Sequence, residues 1–370
     1  MARIDVFEME RMQSLHWHEV EYDLSESGVR AMSVRELLGD RADEILDVGL
    51  AYPLSEGSEA SRDAIASWYP GATTANVTMV NGGSEANHLV LWSLLERVDR
   101  IAFMVPNYLQ GAALGRHFGA GSDTFSLVRA DGRWALELEA LRVAVTPATK
   151  VVMVCNPNNP TGAVLSGAEM DAVVEVADSV GAWIVADEIY RGAEVDTDHD
   201  TPTFWGRYDR VIVTSGMSKA FAMPGLRVGW VVAPERVILD VWEHHDYTTL
   251  TPGMISDRLT AFATTRENRD RILARTRSIL RENLAPVETW ITEHADVLTY
   301  VRPVAGAIAY LEYDLPVPSA ELVDRIRREQ SVLLVPGSMF GLGNGFRVGF
   351  GFDPEETIKG LERVSPYLST

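Results

Sequence analysis

Basic residues are in short supply: the 370-residue chain has 33 Lys and Arg against 53 Asp and Glu, a net charge of −20 at neutral pH. That balance repels nucleic acid and anionic membrane surfaces, and no local basic cluster offsets it. Cysteine is scarcer still. The single Cys155 has no partner for an internal disulfide. The first twenty residues carry acids and histidines where a signal peptide needs an apolar run, so a cytoplasmic location is expected. No stretch approaches the roughly 18 uninterrupted apolar residues of a membrane helix, which leaves small soluble molecules as the expected substrates. The eight histidines, His16, His18, His88, His117, His199, His244, His245 and His294, show no metal-ligand spacing with acids or cysteine, and no metal is assigned. Lysine occurs only as Lys150, Lys219 and Lys359.

Apolar residues are plentiful at 46%, and the length exceeds what one hydrophobic core usually serves, so two domains are expected. Short apolar runs at 76–80, 100–105, 150–155, 182–187, 210–215 and 227–232 read as buried strands. Segments with helical spacing at 85–98, 167–180 and 234–245 fall between or after them, the last opened by Pro234 in a first-turn position. This alternation predicts an α/β domain with a mostly parallel sheet, whose ligands gather at the carboxyl ends of strands. Beyond Asp257 a long charged helical stretch to about Glu293 leads to shorter strands at 297–301, 307–313, 332–336 and 346–350, then a helix at 354–367. The expected division is a large α/β domain over 42–257 and a smaller α+β domain formed by 1–41 and 258–370. No repeat or low-complexity tract interrupts it.

The residues just past each strand carry the chemistry. Lys219 stands among small side chains in Thr-Ser-Gly-Met-Ser-Lys-Ala-Phe (214–221), where an amine can reach a bound aldehyde. Arg227 opens a strand in Gly-Leu-Arg-Val-Gly-Trp (225–230) and can hold a phosphate by paired hydrogen bonds. Asn81-Gly82-Gly83-Ser84-Glu85-Ala86 joins a strand to a helix N-terminus, a place for an anion. Asn156-Pro157-Asn158-Asn159-Pro160-Thr161-Gly162 turns at the end of another strand. Asp187 sets a carboxylate at the end of an apolar run, which is costly without a cationic partner or several donors. Each feature alone admits a plainer account: a surface lysine, a strand-edge arginine, a tight turn, a helix N-cap.

Together these segments resemble the fold-type I pyridoxal 5′-phosphate (PLP) enzymes, specifically the class I/II aminotransferase family. Six motifs in family order carry the resemblance from about Asp23 to Gly349: Gly-Gly-Ser-Glu-Ala (82–86), Asn-Pro-Asn-Asn-Pro-Thr-Gly (156–162), Ala-Asp-Glu-Ile-Tyr (186–190), Ser-Lys-Ala-Phe (218–221), Gly-Leu-Arg-Val-Gly-Trp (225–230) and Phe-Arg-Val-Gly-Phe (346–350). The resemblance implies a three-layer sandwich around a mostly parallel sheet plus a smaller α+β domain. It also implies that Lys219 forms a Schiff base with PLP and later shuttles the Cα proton, and that Asp187 pairs with the pyridine nitrogen. Tyr190 and Asn159 would contact the phenolic oxygen, and Tyr108 would stack on the ring. Gly83, Ser84, Glu85, Ser218 and Arg227 would hold the phosphate. Tyr52 would reach a partner subunit's phosphate in a homodimer with composite sites. Arg347 would grip the substrate α-carboxylate, with Asn159 nearby and Gly28 lying over it. One departure stands out: the family has Ser or Thr three positions before the lysine and this chain has Gly216, so cofactor affinity is expected to fall unless Ser215 substitutes.

The implied reaction is transamination between an L-amino acid and a 2-keto acid. Tyr-Asp-Leu-Ser-Glu-Ser-Gly-Val (22–29), His-Asp-Tyr-Thr-Thr-Leu-Thr-Pro (245–252) and Val-Leu-Leu-Val-Pro-Gly-Ser-Met-Phe-Gly (332–341) are also similar to capreomycidine synthase-like arginine-modifying enzymes. That keeps a PLP-dependent cyclase, oxidase or lyase open, with Glu19, Glu26 and Asp246 as candidate acids for a cationic side chain. A nicotinamide-binding fold would need Gly-x-Gly-x-x-Gly, which the loop at 81–86 lacks. A DNA-binding regulator would need a basic helix-turn-helix region, and the N-terminus is short and not basic.

Overall fold

The computed structural model describes residues 4–368. Its strands in chain order are β1 (Tyr22–Asp23), β2 (Val77–Val80), β3 (Arg100–Val105), β4 (Gly121–Ala130), β5 (Arg133–Leu136), β6 (Thr149–Cys155), β7 (Trp183–Asp187), β8 (Val211–Gly216), β9 (Gly229–Val232), β10 (Leu298–Tyr300), β11 (Ile308–Tyr313), β12 (Val332–Leu333), β13 (Val335–Pro336) and β14 (Gly345–Gly349). An eight-stranded sheet takes the order β2-β9-β8-β7-β6-β3-β4-β5. From β8 through β7, β6 and β3 to β4 the neighbours are parallel, while β8–β9, β9–β2 and β4–β5 are antiparallel.

Alternate residues of the central strands enter different cores, which explains why these strands read as continuous apolar runs. Val151, Met153, Val185 and Ile212 pack with the helices Gly83–Leu94, Gln110–Phe118 and Glu235–His245. Val152, Val154, Ile184 and Val213 face a second core shared with the helix Gly167–Val180 and the long helix Arg266–Glu293. The result is the expected three-layer α/β sandwich. A separate antiparallel sheet, β10-β11-β14-β13, and a parallel pair, β1-β12, complete the strands. No helix among the described residues is long and apolar enough to cross a membrane.

Several local expectations change. The strand expected at 227–232 starts at Gly229, because Arg227 is left-handed (φ 51°) and closes the 3-10 turn Pro224–Leu226. Pro234 caps the helix Glu235–His245 from outside its first turn. The run at 332–336 splits into β12 and β13, which join different sheets. The hairpin β4–β5 was not anticipated; Asp131 and Gly132, both at positive φ, form its two-residue loop between Ala130 and Arg133. The N-terminal segment also contributes a strand, since β1 pairs with β12.

Candidate active site

The parallel pair β7 and β8 sets the Asp187 carboxylate opposite the Thr214 hydroxyl in register. Asp187 Oδ2 accepts a hydrogen bond from Asn87 Nδ2 (2.9 Å) and Oδ1 accepts from the Ile189 N–H (3.1 Å). The Thr214 hydroxyl donates to Asn87 Oδ1 (2.7 Å), which fixes the amide so that its NH2 faces the acid. Burial pushes the Asp187 carboxyl up, and the Asn87 and Ile189 donors hold it back. Asn87 lies within the first turns of the helix Gly83–Leu94, so one helix supplies both an N-terminus and the acid's support.

Lys219 follows β8 and donates from Nζ to Glu26 Oε1 at 2.8 Å. Burial lowers the lysine's pKa, but Glu26 and then Tyr190 more than offset it, so the ammonium form is favoured. Burial likewise raises Glu26, and Lys219 outweighs it, taking the carboxyl to about 2. Gly28 lies over this pair: a Cβ there would come within 3.1 Å of Glu26 Oε1 and 3.7 Å of Lys219 Cδ. Tyr190 is buried beside them, its phenol raised by burial while Lys219 and Arg347 pull it down.

Arg347, on β14, is 1% exposed. Its Nη1 donates to Asn159 Oδ1 (2.8 Å) and its Nη2 to the Ser25 carbonyl, whereas Nε is buried with no partner among the described residues. A buried guanidinium with an open donor is suited to a carboxylate. Tyr108 donates its hydroxyl to Glu10 Oε1 (2.8 Å) and meets the edge of Phe7, ring centroids 4.6 Å apart, so the helix Glu8–His16 leans on this side of the site.

An anion cradle lies where β2, β8 and β9 converge. Gly82 lies at positive φ (+96°), where a side chain would be strained, and its Cα faces Arg227: a Cβ there would sit 2.4 Å from Arg227 Nη2. The Ser218 hydroxyl is 3.4 Å from Arg227 Nη1. The N–H groups of Gly83 and Ser84 open a helix and make no hydrogen bond among the described residues, the arrangement that binds anions. Glu85 is engaged differently: its N–H donates to the Gly82 carbonyl (3.1 Å), and its side chain accepts from the Asn81 N–H (2.5 Å) and the Thr249 hydroxyl (2.9 Å). Gly216 has a steric cause, because a Cβ would lie 2.7 Å from the Val228 carbonyl oxygen. Ser215 is not free to substitute for a missing hydroxyl; it is buried and donates to the Glu188 carbonyl (3.2 Å).

Other sequence candidates lie elsewhere. Tyr52 is 83% exposed. Glu19 is an exposed partner of His16 (3.0 Å), and Asp246 is exposed at the end of the helix Glu235–His245, so of the three proposed acids only Glu26 enters the site. Asn87, Thr214 and Glu10 were missed. An Asn-His pair inside an apolar helix was the available signal for the first, and no local pattern marks the other two.

The chain matches the model of the family described as aminotransferase class I and II over residues 44–364. It is 28% identical over 364 residues to capreomycidine synthase of Streptomyces vinaceus, an alignment covering 96% of this chain and 91% of that protein. The solved structure of a PLP-dependent aminotransferase from Streptococcus suis superposes with a TM-score of 0.91 at 31% identity, covering 99% of this chain and 98% of the other. That of the PLP-dependent cyclase OrfR superposes with a TM-score of 0.86 at 28% identity, covering 99% and 97%.

Proposed function

The chain belongs to the class I and II aminotransferases and uses pyridoxal 5′-phosphate to move an amino group between an amino acid and a 2-keto acid, and we propose that Lys219 is the residue that binds this cofactor and carries the Cα proton. The observation that supports this most is the meeting of Lys219, Tyr190 and Arg347 around one site, with Asp187 at the end of β7 next to the strand that leads to Lys219, beside a glycine-lined cradle topped by Arg227. The residues present fit the cofactor: the cradle has two N–H groups with no hydrogen bond among the described residues and a guanidinium for a phosphate, and Asp187 is held ready for a ring nitrogen.

When bound, the cofactor supplies an aldehyde carbon and an electron-withdrawing ring that stabilises negative charge at the substrate Cα. The chain's own groups do the rest. Gly83, Ser84, Ser218 and Arg227 would hold the phosphate, and Glu85 braces the loop through Asn81 and Thr249. Asp187, steadied by Asn87, would pair with the ring nitrogen, Asn159 and Tyr190 would serve the phenolic oxygen, and Tyr108 would cover the ring. Arg347 binds the α-carboxylate, pre-set by its bond to Asn159, with Gly28 above it. The Lys219 amine would serve as the base for the Cα proton.

The proposal extends to a cytoplasmic homodimer with composite sites, built on a 42–257 domain and a second domain of 1–41 and 258–370. Tyr52, Leu50 and Tyr247 are each more than 80% exposed, apolar surface that a second copy would cover while Tyr52 reaches its phosphate.

A second reading, a cyclase, oxidase or lyase acting on arginine or a modified amino acid, is favoured by the acids at the site. Burial pulls Arg347 down, while Tyr190, Glu26, Glu10 and Asp23 stabilise its charge. Three carboxyl groups around a carboxylate-binding arginine suit a donor with a cationic side chain. A screen of donors and acceptors, followed by cofactor absorbance and mass spectrometry, separates the two. Transamination predicts spectral conversion by a donor and recovery by a keto acid. Arginine and hydroxyarginines left unchanged without a keto acid would remove the second reading.

A further inference from the structure

Glu26 is held in place by the backbone around it. The Leu24 carbonyl accepts from the Gly349 N–H (2.7 Å), the Arg30 N–H donates to the Gly351 carbonyl (2.8 Å), and the Ser25 carbonyl takes Arg347 Nη2. The fit is tight: a Cβ on Gly349 would lie 1.9 Å from the Glu26 carbonyl oxygen, and one on Gly351 would lie 2.1 Å from that of Gly28. Within this strap Glu26 Oε1 accepts from the N–H groups of Ser27 (2.9 Å) and Gly28 (2.8 Å), which fixes the carboxylate. The same oxygen receives Lys219 Nζ at 2.8 Å. Oε2 makes no hydrogen bond among the described residues.

We propose that Glu26 is a positioning residue that holds the Lys219 amine and its proton whenever that amine is not engaged, and thereby sets the pH range in which Lys219 can take up the cofactor. This rests on the role given to Lys219 above. An amine reacts with a carbonyl carbon only when its lone pair is free, so a proton must first leave Nζ. A fixed carboxylate at hydrogen-bond distance opposes that loss by favouring the charged form. The other groups acting on Lys219 are Tyr190, which also favours the charge, and Arg347, which opposes it; Asp23 lies in the strap, where burial and, to a lesser degree, Glu26 raise its carboxyl. Without Glu26, burial and Arg347 are opposed by Tyr190 alone, and the neutral amine appears at lower pH.

The test uses the full-length protein freed of cofactor. Pyridoxal 5′-phosphate is added across a series of pH values, each sample is quenched with borohydride, and the label on the Lys219 peptide is quantified. Glu26→Gln keeps the size of the side chain, and its amide oxygen can still accept from Ser27 and Gly28. Its half-maximal pH is expected to fall by about one unit, equivalent to about tenfold more capture at a pH below both midpoints. Glu26→Asp, with a shorter carboxylate, is expected to lie between the two. Superimposable profiles for wild type and folded variants, with the label on Lys219, would overturn the proposal. Label on another lysine in wild type would instead overturn the role of Lys219. If Glu26→Gln does not fold, Glu26→Asp decides: a wild-type midpoint contradicts the proposal and a lowered one supports it.

Discussion

The two walls of the site are assembled in different ways. On the sheet side, Asp187 ends β7, Lys219 stands three residues beyond β8, and the Gly83 and Ser84 amides open the helix that follows β2. Each group is delivered by the strand beside it, and each strand is buried on both faces. On the strap side, Arg347 meets the Ser25 carbonyl across 322 residues of sequence, Glu26 meets Lys219 across 193, and Tyr108 meets Glu10 across 98. One wall is a consequence of local pattern; the other exists only once the N-terminal segment has docked on β14 and β12.

Substitutions can sharpen that contrast. The largest effect is expected on the sheet side: Asp187→Asn should reduce turnover by roughly 10²–10³-fold, as when one preorganised electrostatic partner is removed, while the cofactor is still captured at Lys219. Near-normal turnover would mean the acid does not face the ring. Gly349→Ala tests the strap. Its methyl group cannot fit against the Glu26 carbonyl, so a stability loss of about 1–3 kcal/mol is expected in denaturant melts, together with a higher KM for the donor. An unchanged melt and KM would show that the strap is loosely held. Gly216→Ser restores the residue common in the family yet should weaken cofactor binding and cost roughly 1 kcal/mol, because β9 leaves no space for it. Tighter binding would contradict this.

A pH-dependent effect concerns Glu188, which is fully buried behind Asp187, with Oε1 accepting from the Thr203 hydroxyl and the Phe204 N–H and Oε2 without a partner among the described residues. Burial pushes its carboxyl up to about 7, against the pull of Arg191. A carboxyl raised on folding contributes stability below its unfolded pKa, near 4.5, and that contribution is lost as pH rises toward 7. Glu188→Gln should therefore lose less thermal stability than wild type between pH 5 and 8, and an equal loss would place the titration elsewhere.

The same contrast explains what could be read from the sequence. The parallel sheet, its apolar runs and the motifs at their ends were legible because doubly buried strands and Gly- or Pro-marked turns leave short-range signatures. The left-handed Arg227 was not, since φ depends on how the 3-10 turn at 224–226 meets Gly82. The Asp131-Gly132 pair carries a hairpin signal, but β4 is only partly buried and shows no clean apolar run. Glu26 stood in the right segment, yet nothing local distinguished it from Glu19 or Asp246; docking of the strap did. Asn87 reads as an ordinary helical residue until Thr214 and Asp187 are brought beside it.

The most direct test is to load the protein with pyridoxal 5′-phosphate, reduce it with borohydride and map the modified residue by mass spectrometry. The label is predicted on the Ser218-Lys219-Ala220-Phe221 segment, with none after Lys219→Ala. Stoichiometric label at Lys150 or Lys359, or full activity in Lys219→Ala, would contradict the assignment of the active-site amine.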